Sequence, residues 1–205
     1  MLYYSIMKLH LGCGRRYLPG YVHIDVCDEK HIDIKMDIRK LIGIDDESVE
    51  DIYASHVLEH FDRREIFDIL CEWNRVIKPG ATIHIAVPNF EACVEQYNQR
   101  KYLPELIGLI CGGQKDMYDM HKMIFDQQLL TKFLEESGFT NVKSYNHADY
   151  LPEGYDDWSR CYLPHMDFDN GRSMSLNLVA TKKEYNSDSK PSADLLFAMG
   201  VKRNY

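Results

Sequence analysis

The chain has 205 residues, of which 45% are hydrophobic and 27% are charged. This length and this balance predict one globular domain, and they exclude a disordered, a collagen-like or a coiled-coil chain. The net charge of −8, without any basic patch in the sequence, argues against nucleic acid as a partner.

The amino terminus and the cysteines bear on the cellular location. Residues 1–8 lack the basic start and the apolar length of a signal peptide, and no apolar run approaches the ~18–20 residues that cross a bilayer. The six cysteines are scattered and form no C-x-x-C pair. We therefore expect reduced cysteines in a cytoplasmic protein that has no membrane partner.

Four short strands are predicted in the first quarter of the chain, at Lys8 to Gly12, Val22 to Asp25, Ile32 to Ile38 and Val49 to Ser55. Only seven residues, Arg15 to Tyr21, separate Gly14 from the second strand, and the next gap is equally short. A helical crossover between parallel strands takes about a dozen residues or more. The first half of the domain should therefore have shortened or missing helices on one face.

A helix is predicted after Asp62 and Glu65, which are spaced as a capping box. Its apolar residues recur at helical spacing up to Ile77, and Pro79-Gly80 is expected to end it. A buried strand from Ala81 to Val87 follows, because almost every residue there is apolar.

The second half continues the alternation of helices and strands. Residues 90–112 are predicted to be helical with a break at Pro104, and Asp126 should cap a helix that ends at Gly138. The last two strands, Asn141 to Asn146 and Ser173 to Thr181, should pair as an antiparallel hairpin. Together these elements predict an α/β domain with a mostly parallel sheet.

The domain is expected to span residues 1–183 and to be followed by a tail at 184–205. Asn186 to Pro191 has the composition of a linker, and the apolar stretch Leu195 to Met199 should dock on the domain. Either this tail or a second subunit is expected to cover the sheet face that the short helices leave bare, and we expect a homodimer.

The turn at Gly12-Cys13-Gly14 is the sharpest local feature. A G-x-G sequence at the end of a strand allows a tight turn and the close approach of a ligand. Asp25 ends the next strand, where a carboxylate can accept hydrogen bonds from both ribose hydroxyls of a nucleoside.

Five motifs together resemble the class I S-adenosylmethionine-dependent methyltransferases, over roughly residues 6–183. They occur in the order found in small members of that family: Leu11 to Gly14, Val22 to Asp25, Ser55 to His60, Arg75 to Gly80 and His121 to Phe139. The resemblance implies a Rossmann-like sheet of seven strands whose final strand is reversed.

The resemblance also implies the roles of individual residues. Gly12, Cys13 and Gly14 would face the methionine part of S-adenosylmethionine, and Asp25 would hold its ribose. The remaining cofactor contacts would be Asp37 and Ile38 at the adenine, and Ser55 and His56 beneath the sulfonium.

Methyl transfer to a small molecule or a sugar, at an oxygen or a nitrogen, is the expected reaction. An acceptor of this kind loses a proton, so a nearby base is expected. His56 and His121 are the catalytic candidates, since a neutral imidazole accepts a proton at physiological pH.

Three other functions fit parts of the sequence. His56, Glu59 and His60 match the H-x-x-E-H pattern of a zinc metalloprotease, although no third ligand is evident and no metal site is assigned. A nicotinamide dehydrogenase would need glycine where Tyr17 stands. A non-catalytic binding module would keep the fold and bind the cofactor or a partner without turnover.

Overall fold

The computed structural model describes residues 7–183 and 190–201. One sheet contains seven strands: β1 Met7–Leu11, β2 Val22–Asp25, β3 Ile34–Lys35, β4 Val49–Ser55, β5 Ile77–Pro88, β6 Phe139–Ser144 and β7 Ser175–Lys182. Their spatial order is 3-2-1-4-5-7-6. The pairs among β1 to β5 are parallel, whereas β7 runs antiparallel to both β5 and β6. The predicted α/β class, with a reversed final strand, is confirmed.

Six α-helices accompany this sheet in the described residues: α1 Ile66–Val76, α2 Phe90–Arg100, α3 Ile107–Cys111, α4 Gln127–Glu136, α5 His147–Tyr150 and α6 Ala193–Ala198. Between residues 7 and 57 there is no helix at all, so the predicted shortening of the first half is confirmed. The longest described helices have 11 residues, and none combines the length and apolar character needed to cross a membrane.

Two predicted boundaries were wrong. The third strand comprises only Ile34–Lys35, not the seven residues from Ile32 to Ile38. Helix α1 ends at Val76, because Ile77 is already extended and pairs with Val49 of β4, and Pro79-Gly80 lies inside β5. Sheet pairing therefore overrides the helical spacing that included Ile77.

The other predicted signals hold with small changes. Half of the capping box forms, since Glu65 Oε2 accepts the Asp62 N–H at 3.1 Å. Asp126 caps α4 by accepting the Leu129 N–H at 2.7 Å. The segment 90–112 breaks at a 3-10 turn around Pro104, as expected. The last two strands pair antiparallel, although α5 and a two-stranded ribbon lie between them.

The two faces of the sheet differ in chemistry, because successive residues of a strand point to opposite sides. On one side, Ile52 and Ala54 of β4 join the aliphatic core under α1 and α4. On the other side, Tyr53 packs with Leu18 and Leu151 in a separate cluster rich in tyrosine. Segments without long helices therefore cover this second face.

The carboxyl-terminal helix α6 docks on the face that already carries α1 and α4. Leu195 is fully buried in that core, and Ser192 donates a hydrogen bond to Glu136 of α4 at 2.6 Å. The prediction that this stretch docks is confirmed, but the helix-poor face is covered by other segments. The linker expected at 186–191 and the boundary at 183 fall on or beside residues 184–189, which lie outside the described part of the chain.

Candidate functional site

The turn between β1 and β2 requires glycine at its first position. Gly12 has a φ of +63°, and a Cβ placed there would lie 2.2 Å from Val57 Cγ2. Gly14 also has a positive φ, of +52°, but a Cβ there would meet nothing within 4 Å. The backbone at Gly12 therefore lies close to Val57, in the segment after β4. Any side chain at position 12 would force these two segments apart.

Two adjoining cavities lie at the carboxyl ends of β1, β2 and β4, and they share Gly12 and His56. One has a volume of about 260 Å³ and the other of about 500 Å³. Among the residues predicted for the cofactor, those lining the first are Gly12, Asp25, Asp37, Ile38 and His56, and those lining the second are Gly12, Cys13, Gly14, Ser55 and His56. All eight predicted residues therefore surround one continuous region, at the position where open α/β sheets bind ligands.

The first cavity, which we call the β2 cavity, has an apolar wall and a charged rim. Ile38, Val57 and Phe61 contribute the wall. At the rim, Arg39 donates to both carboxylate oxygens of Asp37, at distances from 2.6 to 3.1 Å. These hydrogen bonds from Arg39 lower the pKa of Asp37, so the carboxylate stays ionised and can accept further hydrogen bonds.

The second cavity, which we call the glycine-turn cavity, is more polar. Ser55 Oγ is buried there and has no hydrogen-bond partner among the described residues. Burial raises the pKa of the Cys13 thiol to about 12, which makes Cys13 a wall and not a nucleophile. Arg15 and Arg16 complete the mouth, within 3.1 Å of Glu29 and 3.6 Å of Asp156 respectively.

His56 lies between the two cavities in an uncommon backbone conformation, with a φ of +52°. Its Nε2 is 2.9 Å from Ser175 Oγ. Because Ser175 donates its only hydroxyl proton to Asn177 Oδ1, its Oγ accepts, and Nε2 of His56 carries the proton. The other ring nitrogen, Nδ1, faces the carboxylate of Glu59 at 3.3 Å.

His121 lies beside Glu59 as well, and not across the cavity from His56. Its Nε2 is 3.9 Å from Glu59 Oε1, and its Nδ1 donates to the Leu109 carbonyl at 2.9 Å. Burial lowers the pKa of His121, so its ring favours the neutral form. The ring packs edge-on against His60, at 4.8 Å between centroids, and of these two histidines it is His60 that lines the β2 cavity.

Glu59 is fully buried beneath these rings. Burial raises its pKa, but the three histidines around it outweigh that effect and the net shift is downward. The H-x-x-E-H protease arrangement does not form, because His56 is left-handed and His60 closes a 3-10 turn, Leu58–His60. The two histidines therefore do not share one face of a helix, and the metalloprotease hypothesis is not supported.

Several residues at the cavities were missed by the sequence analysis. Arg39 follows Asp37 by two residues, a spacing that a search for local ion pairs would have found. Met117, Tyr118 and Lys122 also line the β2 cavity. Nothing local in the sequence signals them, because their segment reaches the site by long-range contacts, such as the backbone bond from the Lys122 N–H to the Glu59 carbonyl.

One known protein family and several solved structures are similar to this chain. A family model for a methyltransferase domain matches residues 9–85. The matched residues run from β1 into β5, so this part of the chain has the sequence of a methyltransferase domain. The family and the enzyme class expected from the five motifs are thus confirmed.

Solved structures with the same fold include three methyltransferases. A SAM-dependent methyltransferase from Archaeoglobus fulgidus is 17% identical with a TM-score of 0.54, and the match covers 88% of each chain. One from Methanosarcina mazei is 14% identical with a TM-score of 0.51, covering 89% of this chain and 94% of that chain. The third, 1,6-didemethyltoxoflavin-N1-methyltransferase from Burkholderia thailandensis, is 12% identical with a TM-score of 0.54, covering 87% and 71%. No curated protein matches the sequence.

Proposed function

We propose that this methyltransferase transfers a methyl group from S-adenosylmethionine to an oxygen or nitrogen of a small molecule or a sugar. The observation that supports this most is the convergence of all eight residues predicted for the cofactor on two adjoining cavities. S-adenosylmethionine is the cofactor of the family, and the Burkholderia thailandensis relative contains S-adenosylhomocysteine together with its own small substrate.

The residues at the cavities fit this cofactor. The turn at Gly12 leaves room for a ligand to approach the backbone closely, and Asp25 lines the β2 cavity where it would accept ribose hydroxyls. Ile38 would contact the adenine ring and Asp37 would accept from its amino group. The unpartnered Ser55 Oγ would hydrogen-bond in the glycine-turn cavity, where the methionine part would lie.

When bound, the cofactor supplies a methyl group on a sulfonium, and most of the acceleration comes from holding the acceptor in line with it. The residues of the chain would position the acceptor and manage its proton. His56 would take the acceptor proton at Nδ1, since its Nε2–H is committed to Ser175. The Glu59 carboxylate at 3.3 Å would stabilise the imidazolium that results. His121, the second catalytic candidate, would act through Glu59 and His60 and not by direct contact with the acceptor.

A small acceptor is supported by the net charge of −8, which disfavours the phosphate backbone of a nucleic acid.

A cytoplasmic location and a homodimer are also part of the proposal. All six cysteines are free, as expected in a reducing compartment. Apolar side chains at and between α2 and α3 are about half exposed, including Tyr102, Leu103 and Ile107, and they would supply a contact between subunits. Light scattering that finds a monomer of the full chain would reject the dimer.

The proposed function is tested by calorimetric titration with S-adenosylhomocysteine and with NAD. We expect binding of the first and none of the second, followed by release of S-adenosylhomocysteine when small molecules and sugars are screened as acceptors. Cofactor binding without turnover on any acceptor would instead identify a non-catalytic binding module. Absence of S-adenosylhomocysteine binding by the folded protein would contradict the proposal.

A further inference from the structure

A group of metal-binding side chains lies next to the β2 cavity. Glu59, His60 and His121 each place one ligand atom within 4.8 Å of those of the other two. Glu59 is fully buried, and neither of its carboxylate oxygens has a hydrogen-bond partner in the described residues. A buried carboxylate that is left without hydrogen bonds is costly, so this arrangement calls for a positively charged partner.

The proton positions on two of the rings follow from their backbone contacts. A carbonyl oxygen only accepts hydrogen bonds, so the ring nitrogen beside it carries the proton. His121 Nδ1 lies 2.9 Å from the Leu109 carbonyl, and His60 Nδ1 lies 3.2 Å from the Met120 carbonyl. In the neutral rings, Nε2 is therefore the lone-pair nitrogen of both residues. Histidines that bind metals are held in this way, with the second nitrogen donating to a carbonyl or a carboxylate.

The third ring adds another lone pair. Because Nε2 of His56 donates to Ser175, its Nδ1 is an acceptor in the neutral ring, and it faces Glu59 Oε1 at 3.3 Å. When the rings are neutral, the buried carboxylate therefore lies beside imidazole nitrogens that carry lone pairs. A cation bound by these lone pairs would also offset the negative charge of Glu59.

We infer that Glu59, His60 and His121 bind a divalent transition-metal ion, through one carboxylate oxygen and the two Nε2 atoms. Two imidazoles with one carboxylate suit Zn²⁺ and its first-row neighbours. Ligand atoms around one such ion lie roughly 3.4 Å apart at metal–ligand distances of about 2.1 Å. The separations of up to 4.8 Å would therefore contract by up to about 1.4 Å on binding, through rotation of the half-buried His60 side chain.

The ion would lie at the wall of the β2 cavity. His60 lines this cavity together with Met117, Tyr118 and Lys122, so the open coordination positions of a three-ligand site would face it. Under the proposed function this cavity holds the nucleoside part of the cofactor, and an oxygen of that ligand could coordinate the ion. This second step rests on the proposed function, whereas the metal site itself does not.

The experiment titrates the full-length protein, stripped with a chelator, with Zn²⁺ and with Co²⁺ in the absence of any cofactor. One equivalent of each metal should bind, and the visible spectrum of bound Co²⁺ should show nitrogen and oxygen ligands without the near-ultraviolet band of a thiolate. That band would reveal binding at the six free cysteines and would count against the site. S-adenosylhomocysteine binding is measured separately on the stripped protein, so failure of the cofactor proposal is distinguishable from failure of the metal proposal.

The variants His60→Ala and His121→Ala should each lower the affinity for the metal by about 100-fold or more, since even residues beyond the ligands change it by 10–100-fold. His165→Ala is the matched control, because His165 is exposed and distant in sequence from the group, and it should bind as the parent protein does. Circular dichroism checks that each variant is folded. Absence of stoichiometric metal binding by the folded parent protein, or unchanged metal affinity in both variants, would overturn the proposed metal site.

Discussion

The Asp25 carboxylate holds the Gly14 end of the glycine turn: its Oδ2 accepts the Gly14 N–H at 2.8 Å. The other oxygen, Oδ1, accepts the Cys27 N–H at 2.9 Å. Asp25 therefore links the ends of β1 and β2 before any ligand is bound, and it would use its remaining lone pairs for the ribose. One residue thus combines a structural and a binding role.

Replacing Asp25 should weaken cofactor binding more than it weakens folding. Asp25→Ala removes the acceptors proposed for the ribose and loosens the turn, and we expect a loss of ~1.5–3 kcal/mol, or roughly 10–150-fold in affinity. Calorimetry with S-adenosylhomocysteine measures it. Asp28→Ala is the matched control, because that carboxylate is 95% exposed and contacts only Lys35 among the ion pairs of the described residues. Unchanged affinity in folded Asp25→Ala would refute the ribose role.

A side chain at Gly12 should be far more damaging than one at Gly14. Gly12→Ala combines a positive φ with a Cβ only 2.2 Å from Val57 Cγ2, and we expect a decrease of about 2–4 kcal/mol in the free energy of unfolding. Gly14→Ala meets no neighbour, so only the backbone cost of about 1–2 kcal/mol remains. Urea denaturation compares the two. Adding Val57→Ala should partly rescue Gly12→Ala, and equal losses for the two glycines would contradict the close approach.

His10 should make the stability depend on pH. Burial lowers the pKa of His10 from 6.5 to about 3. Between these values the unfolded chain binds a proton that the folded one does not, so stability falls as pH drops from about 6.5 toward 3, by up to about 1.4 kcal/mol per pH unit. In His10→Phe this slope should be shallower by that amount, whereas His165→Phe should leave it unchanged. Urea denaturation at pH 6.5, 5.5 and 4.5 checks the difference.

The order of these elements could be predicted from the sequence, because apolar alternation marks β1, β2 and β4 and caps mark α4. Of the eight residues proposed for the cofactor, six lie on motifs at strand ends, whereas Asp37 and Ile38 were predicted from the family resemblance alone. The group at Glu59 was not predicted, since His121 lies 62 residues further along the chain and reaches Glu59 only in the folded structure. Local periodicity carries no information on such a contact. For the same reason the sequence did not reveal that α6 packs on α1 and α4 instead of on the helix-poor face.

Docking of α6 should contribute measurably to stability. Leu195 is fully buried in the core under α1 and α4, so Leu195→Ala should lower the free energy of unfolding by about 2–5 kcal/mol. Ile42→Ala is the control, because Ile42 is 76% exposed and its loss should cost less than about 0.5 kcal/mol. Thermal denaturation followed by circular dichroism measures both. Similar effects for the two variants would show that α6 does not belong to the folding unit.

The two histidines should separate proton transfer from cofactor binding. Because His56 has a positive φ, asparagine is the better replacement, since it tolerates that conformation. If His56 takes the acceptor proton, His56→Asn should lower turnover by about 10²–10⁴ and leave the affinity for S-adenosylhomocysteine nearly unchanged. Ser175→Ala, which removes the acceptor that orients the His56 ring, should lower turnover less and displace its pH profile.

His121→Ala should also lower turnover, and excess divalent metal should restore part of it if His121 acts as a ligand. Wild-type turnover in both histidine variants would mean that positioning alone drives the reaction, and a loss confined to cofactor affinity would make His56 a binding residue.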